Sequence, residues 1–267
     1  MPLDLGVWIT PLIITFNEEA NLARTLAPLR WAQRIVVVDS GSTDSTLAIA
    51  AADSRVVVYY RRFDNFADQC MYGLAQVKTE WALSLDADYE LSPQLVAELH
   101  GLPLNPNVAG YSVPMVYCIH GRQLRGSLYP PRTVLYRHHL ARYRNEGHGH
   151  RVVVDGPVAS LATPIRHDDR KPLSRWLASQ AKYAALEAKH LMSAHRSELR
   201  LQDRLRLVGW LAPFAVLVYV LLIKGCILDG KPGWHYALQR VLAEILLALE
   251  LVDRRLCTTT VSEGKET

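Results

Sequence analysis

Cysteine is scarce and scattered in this sequence: Cys70, Cys118, Cys226 and Cys257 are the only four in 267 residues. None forms a C-x-x-C pair, which excludes a disulfide scaffold and fits a reducing compartment. Blocks of Lys or Arg are missing too. The net charge is only +4, and no basic tail of the kind that holds nucleic acid is present. The chain opens Met-Pro-Leu-Asp, without the basic-then-apolar pattern of a secretion signal, so a cytoplasmic location is expected. Internal repeats and low-complexity tracts are also absent. What is there, 49% hydrophobic, suffices for one large domain or one domain with an appendage.

The stretch Glu80-Trp-Ala-Leu-Ser-Leu-Asp-Ala-Asp88 organises the rest. It reads as a buried strand of a parallel sheet, ending in two carboxylates one residue apart. In open α/β sheets ligands sit beyond the carboxyl ends of strands, where Asp86 and Asp88 fall. On a strand, residues i and i+2 share a face, so both carboxylates are expected to approach one hard cation or its water shell. Mg²⁺ keeps several waters and takes one or two carboxylates with a substrate's phosphates, which suits a metal–diphosphate complex. The competing reading is a solvated Asp-x-Asp turn.

Taken in order, Val7 to Thr15 reads as a first strand in which Pro11 predicts an edge position or a start near Leu12. Asn17 is a candidate cap for a helix through Leu22, Leu26 and Leu29. A second strand, Ile35 to Val38, ends at Asp39 and enters the small-residue loop Asp39-Ser-Gly-Ser-Thr-Asp-Ser-Thr46. A short helix, a third strand at Val56–Tyr60 and a helix over Phe66–Val77 lead to the Trp81–Asp86 strand. This alternation predicts a doubly wound α/β domain. Three strands end in Asn17-Glu18, Asp39 and Asp86/Asp88, so acidic and amide groups converge on one sheet edge.

Thr15-Phe-Asn-Glu-Glu19, Val37-Val-Asp-Ser-Gly-Ser-Thr-Asp44 and Leu85-Asp-Ala-Asp88, in this order and spacing, resemble family 2 glycosyltransferases of the GT-A fold. The resemblance covers about Trp8 to Arg175. More loosely, Tyr129-Pro-Pro-Arg132, Gly147-His148 and His167-Asp-Asp-Arg-Lys171 are similar to the lipopolysaccharide-core glucosyltransferases. The resemblance implies a UDP-sugar donor and Mg²⁺ or Mn²⁺. Asp39 would then accept from the uracil imide, with Thr15, Asn17 and Glu18 lining the nucleoside pocket. Asp86 would lie near ribose and metal-bound water, and Asp88 would ligate the cation. Two departures stand out. Gln69 is followed by Cys70 where relatives often have Asn, and the usual Asp-Ala-Asp-Glu is here Asp-Ala-Asp-Tyr, with Glu90 one place later.

Gly110 to Tyr117 reads as one further strand, followed by a proline-broken stretch carrying Arg122, Arg125 and Arg132. Guanidinium forks match phosphate oxygens, and Arg132 is the candidate diphosphate contact; Arg125 reads as an ordinary surface residue. An inverting transfer needs a base for the acceptor hydroxyl. Glu146 occupies the position where the family places its acidic base, and His148 is the second candidate. Zinc at the Gly147-His-Gly-His150 run is disfavoured by the lack of a nearby cysteine or an H-E-x-x-H helix. His167-Asp168-Asp169 either closes the site or caps the helix that begins near Leu173.

From Ser174 the pattern turns helical. Residues 166–206 hold ten Lys/Arg against five Asp/Glu, an excess that faces anionic headgroups or is simply solvated. Leu207 to Ile223 carries no charge, but a helix of that length spans roughly 25 Å, short of a bilayer core. Pro213 is expected to kink it. Trp234 to Leu256 is amphipathic, with Leu238, Val241, Leu242, Ile245, Leu249 and Val252 on one side. An interfacial hairpin is expected, with an oligomer interface as its competitor.

The expected architecture is therefore a GT-A domain (Rossmann-like, mostly parallel sheet with helices on both faces) over residues 1–172, and a helical, membrane-associated segment over 173–267. The expected activity is metal-dependent, inverting transfer of a hexose, glucose foremost, from a UDP-sugar to a lipid-linked or lipopolysaccharide-core acceptor. The place is the cytoplasmic face of a bacterial inner membrane, peripheral or monotopic, with nucleic acid excluded and a homo-oligomer open. Alternatives are a polyprenyl-phosphate or exopolysaccharide glycosyltransferase and a non-catalytic membrane-anchored scaffold. A sugar-phosphate nucleotidyltransferase wants a glycine-rich loop with a basic residue after strand one, where this chain has Phe16-Asn-Glu-Glu19.

Overall fold

In the computed structural model, residues 4–102, 107–146, 149–195, 197 and 199–263 are described; for Glu146, Gly149 and residues 258–263 this extends to the backbone course only. The chain divides into two units, one of Met1–Gln123 with Leu128–Lys171 and one of Leu124–Ser127 with Pro172–Thr267.

The first unit is built on strands β1 (Ile9–Thr15), β2 (Ile35–Asp39), β3 (Val56–Tyr60), β4 (Trp81–Asp86), β5 (Tyr89–Glu90), β6 (Gly110–Val113), β7 (Met115–Ile119), β8 (Arg122–Gln123), β9 (Arg132–Arg137), β10 (Ala141–Glu146), β11 (Gly149–Val154), β12 (Val158–Ser160) and β13 (Ile165–His167). Its helices are α1 (Leu5–Trp8), α2 (Leu22–Leu26), α3 (Thr46–Ala51), α4 (Phe66–Leu74) and α5 (Pro93–His100). Seven strands form the main sheet in the order β12-β6-β9-β4-β1-β2-β3. β4, β1, β2 and β3 run parallel, while β9 is antiparallel to both β4 and β6. Four carboxyl ends, at Thr15, Asp39, Tyr60 and Asp86, therefore share one sheet edge.

Both faces of the sheet are covered. Ile9, Ile13, Ile35, Val37, Trp81, Leu83 and Leu85 point into one core with Leu22, Leu26, Leu95 and Leu99. The alternate residues Leu12, Val36, Val38 and Ala82 pack on the other side with Leu74 of α4 and Tyr136. That two-sided burial is why the strands read as unbroken apolar runs. α4 approaches its face so closely that a Cβ on Gly73 would lie 2.5 Å from Leu12 Cδ1 and 3.0 Å from Val38 Cγ2.

Several sequence expectations are corrected here. β1 lies inside the sheet, not at its edge; Pro11 is accommodated because β1 pairs with β4 from Ile9 but with β2 only from Leu12. Gly110–Tyr117 is two strands, split at Pro114 into β6 of the main sheet and β7, which belongs to a small sheet ordered β5-β13-β7-β8. Asn17 does not cap α2, whose N-cap is Asn21; it sits at φ 55° instead. Asp88 lies in the turn between β4 and β5 rather than on the strand, so the shared strand face expected for Asp86 and Asp88 does not arise.

The second unit contains α6 (Leu173–Ser193), α7 (Leu201–Val208), α8 (Leu211–Val218) continued by π-type turns over Tyr219–Ile223, and α9 (Lys231–Glu263). Ala184, Ala188 and Leu191 of α6 pack against Leu247 and Leu251 of α9. Arg206 spans α7 and α9, its Nη2 2.7 Å from Glu244 Oε1, with Glu187 and Asp203 also within 3.7 Å. Residues 124–127 join this unit: the Arg125 N–H donates to Asp229 (3.0 Å) and the Cys226 thiol to the Gly126 carbonyl (3.2 Å). The uncharged stretch is not one kinked helix. Gly209, at φ 90°, ends α7, and Pro213 sits in the first turn of α8, where its missing N–H costs no helical bond. Among the described residues no helix is long and apolar enough to cross a membrane.

Candidate active site

The loops after β1 and β2 interlock at the shared edge. Asp39 is 1% exposed and organises them. Its Oδ1 accepts from the N–H groups of Gly41 and Ser42 (both 2.8 Å), and its Oδ2 from the hydroxyls of Thr15 (3.0 Å) and Ser42 (2.5 Å). Those four bonds use the lone pairs of an ionised carboxylate. Gly41, at φ 94°, allows the tight return that makes this possible. Asn17 ties the loops together, donating its N–H to Ser42 Oγ (2.7 Å) and accepting from the Thr43 N–H (2.7 Å). Asp44 accepts from the N–H (3.0 Å) and the hydroxyl (2.5 Å) of Thr46, the first residue of α3.

Beyond β4 the arrangement is denser. Asp88 Oδ2 is 3.0 Å from Nε2 of His167, at the end of β13. Asp88 Oδ1 and His167 Nδ1 are both buried without a hydrogen-bond partner. The rings of Tyr89, Tyr117 and Tyr129 stand edge-on to the imidazole at 5.4, 4.9 and 4.8 Å. Burial opposes ionisation of Asp88, yet the charge and hydrogen bond of His167, with Lys171 behind, hold its carboxyl below the usual range. Burial likewise opposes charge on His167, but Asp88 and then Asp86 lift it above the usual imidazole value.

His167 opens a strap, residues 167–171, that is bonded across the site. Lys171 Nζ reaches Glu18 Oε1 at 2.6 Å and Asp169 Oδ2 at 3.7 Å. Burial raises the Glu18 carboxyl above its ordinary range although Lys171 pulls it down, and Asp88 adds to the rise. Asn21 donates to Glu18 and Asp169 (2.9 Å each). Asp168, with no exposed surface, accepts from Arg24 Nη1 (3.1 Å), Arg170 Nε (2.8 Å) and the Gly121 N–H (3.1 Å). Its own N–H donates to the Asp88 carbonyl (3.1 Å). The strap thus closes on the site; it does not cap α6, whose N-cap is Pro172 and makes no side-chain cap bond.

Of the residues singled out from sequence, Thr15, Asn17, Glu18 and Asp39 meet in the interlocked loops, and Asp86 and Asp88 lie at the end of β4. Arg132 begins β9, its guanidinium 5.7 Å from the Tyr129 ring centroid. Arg125 pairs with Asp229 of the second unit, to which it belongs. His148 lies outside the described residues, and so does the Glu146 side chain; the backbone of Glu146 pairs with Gly149 at the tip of the β10–β11 hairpin. His150 is a neighbour of these residues that the sequence reading does not single out as a base. It stacks on Phe66 (centroids 5.4 Å), and burial keeps it below the usual imidazole value despite Asp86, with Arg132 acting the same way as burial. The signal for it was present: it lies two places after His148 in the same Gly-His-Gly-His run. Tyr129 and Lys171 lie in motifs that the sequence marks, whereas Tyr89 and Tyr117 had no sequence signal, because segments distant along the chain bring them to the imidazole.

No cluster of three or more His, Cys, Asp or Glu gathers among the described residues, so they offer no all-protein metal cage. The unmatched Oδ1 of Asp88 nevertheless fits a cation of the kind that binds through one or two carboxylates and completes its shell with water and phosphate.

A lipopolysaccharide core biosynthesis glycosyltransferase LpsC from Rhizobium meliloti (strain 1021) is 28% identical over 197 residues, 67% of this chain and 70% of that one. An uncharacterized glycosyltransferase of Rickettsia bellii (strain RML369-C) is 26% identical over 218 residues, covering 76% and 74%. Among solved structures, S. aureus TarS 1-349 superposes with a TM-score of 0.48 at 14% identity, over 93% of this chain and 91% of that one. The profile of the family described as Glycosyl transferase family 2 matches residues 11–156, and the chain belongs to that family.

Proposed function

We propose that this glycosyltransferase moves a hexose, glucose foremost, from a UDP-sugar to a lipid-linked or lipopolysaccharide-core acceptor with inversion at the anomeric carbon. The observation that carries the reading is Asp88: a buried carboxylate at the carboxyl edge, with one oxygen on His167 and the other unmatched. A site of this kind fits a leaving diphosphate and its counter-ion. Asp88, with Asp86, would hold Mg²⁺ or Mn²⁺, which when bound neutralises charge developing on the diphosphate. Arg132, Lys171 and His167 supply further positive charge around the same anion. The acceptor hydroxyl attacks the anomeric carbon, Glu146 takes its proton, and UDP leaves from the opposite face. His150, held neutral by burial, is the imidazole able to share that proton. The similarity to a lipopolysaccharide core enzyme supports the acceptor class.

Contact between Asp39 and a uracil imide requires one of its present donors, such as the Thr15 or Ser42 hydroxyl on Oδ2, to give way. The test is a thermal-shift panel of UDP-sugars with and without Mn²⁺, paired with sugar transfer to extracted lipid acceptors. A ligand that binds only the native state raises its apparent stability. A cation-dependent shift with UDP-glucose, lost in Asp88→Ala, supports the assignment. Absence of any shift with every uridine nucleotide refutes the donor, and full transfer by Asp88→Ala refutes the metal role.

A further inference from the structure

The second unit leaves much of its apolar surface bare. Trp210, Phe214, Val218 and Leu222 follow one another at intervals of four along α8 and the turns that continue it. Their exposures are 67%, 67%, 53% and 61%. Ile223 and Leu228, 71% and 68% exposed, carry the surface around the turn before α9. On α9, the side chains facing inward are Tyr236, Ala237, Glu244, Leu247 and Leu251. Of the apolar stripe that the sequence marks, Leu238, Ile245, Leu249 and Val252 are exposed, while Val241 and Leu242 are half-buried. An exposed stripe of this length on an amphipathic helix pair marks an interaction site.

The charges around it point to the occupant. Residues 207–223 contain no charge of either sign. The nearest acids are already committed, Asp203 to the Arg206 cluster and Asp229 to Arg125. Lys224 and Lys231, which flank the turn, make no ion pair among the described residues; Lys224 Nζ stands 5.6 Å from the Tyr219 ring. Bare leucine and phenylalanine, tryptophan and tyrosine beside them, and cations at the rim are the composition of a helix lying in a bilayer interface. A crossing is ruled out by length, since 211–223 rises about 20 Å against a core of about 30 Å.

We infer that α8 and the turn leading into α9 lie in the surface of an anionic bilayer, with Trp210, Phe214, Val218 and Leu222 in the acyl boundary and Lys224 and Lys231 among the headgroups. This deepens the lipid-linked acceptor reading and rests on it for its purpose: the surface would hold the enzyme where such an acceptor is. Binding itself is tested independently of catalysis.

The experiment is flotation of the full chain with vesicles of phosphatidylcholine alone and of equal parts phosphatidylcholine and phosphatidylglycerol. Two variant pairs are compared, Phe214→Asp with Leu222→Asp, and Lys224→Glu with Lys231→Glu. Phe214, Leu222 and Lys231 are exposed and Lys224 is half-buried, and circular dichroism verifies that the fold persists in each variant. The intact protein is expected to float with the anionic vesicles, and the aspartate pair to bind both compositions at least ~10-fold more weakly. The glutamate pair is expected to lose its anionic preference, at about fivefold per lysine removed. Failure of the intact protein to float, or flotation unaffected by either pair, overturns the inference. So does concentration-dependent dimerisation in light scattering that the aspartate pair abolishes while vesicles have no effect, which assigns the face to a second copy. UDP-sugar thermal shifts measured on the same variants should be unchanged, so failure here is separable from failure of the donor assignment.

Discussion

Asp168→Asn is the most informative single change in the first unit. The wild-type carboxylate has no exposed surface and accepts three side-chain or backbone donors, two of them guanidinium groups. Asparagine keeps the volume but has only one acceptor oxygen. If that oxygen stays on the Gly121 N–H, the new amide N–H₂ faces Arg24 and Arg170, donor against donor. Breaking a buried charged pair by altering one partner costs roughly 3–5 kcal/mol. Arg24 and Arg170 are 23% and 39% exposed, so water recovers part of the loss and the low end, about 3 kcal/mol, applies. The assay is urea unfolding followed by a probe in the first unit, since the two units need not unfold together. At a slope of about 1–3 kcal/mol/M, the midpoint should fall by roughly 1–3 M. Because Asp168 also holds the backbone of Asp88, nucleotide affinity should fall with it even where the protein is fully folded. A midpoint within about 0.2 M of wild type would refute the reasoning, as would additivity with Arg24→Met, because neighbours in one network must couple.

Two further outcomes follow from packing and from charge. Gly73→Ala would ordinarily gain about 1 kcal/mol of helix propensity. Here the added methyl meets Leu12 and Val38 inside contact distance, so a net loss of about 1–3 kcal/mol is expected in thermal unfolding; stabilisation would show that α4 can shift. Glu98 accepts from the N–H groups of Ala162 (2.8 Å) and Thr163 (2.9 Å). Burial opposes its charge, but these bonds prevail and hold its carboxyl below the usual range, so its stabilisation is complete above the unfolded value, about pH 4.3, and is lost as pH falls through the lower folded value. Glu98→Gln should cost about 1 kcal/mol at pH 7, allowing for solvent, and nothing at pH 2; an equal deficit at both would refute it.

The family, the parallel strands β1 to β4 and the acidic sheet edge were legible in the sequence alone. Apolar runs such as Ile35-Val-Val-Val38 and Trp81-Ala-Leu-Ser-Leu85 bury both faces, and that requirement is written locally, residue by residue. Strand boundaries at β3 and β4 were legible for the same reason. What depends on partners distant along the chain was not. The pairing of His167 with Asp88 joins positions 79 apart, and that of Lys171 with Glu18 joins positions 153 apart, so no local pattern announces either. Pro11 in an interior strand contradicts a local rule, and only the staggered start of the β2 ladder resolves it. The stripe on α9 was visible as periodicity, but periodicity cannot tell which face of a helix the rest of the protein covers. Only tertiary packing decided that Leu247 and Leu251 turn inward while Leu238, Ile245 and Leu249 remain outside.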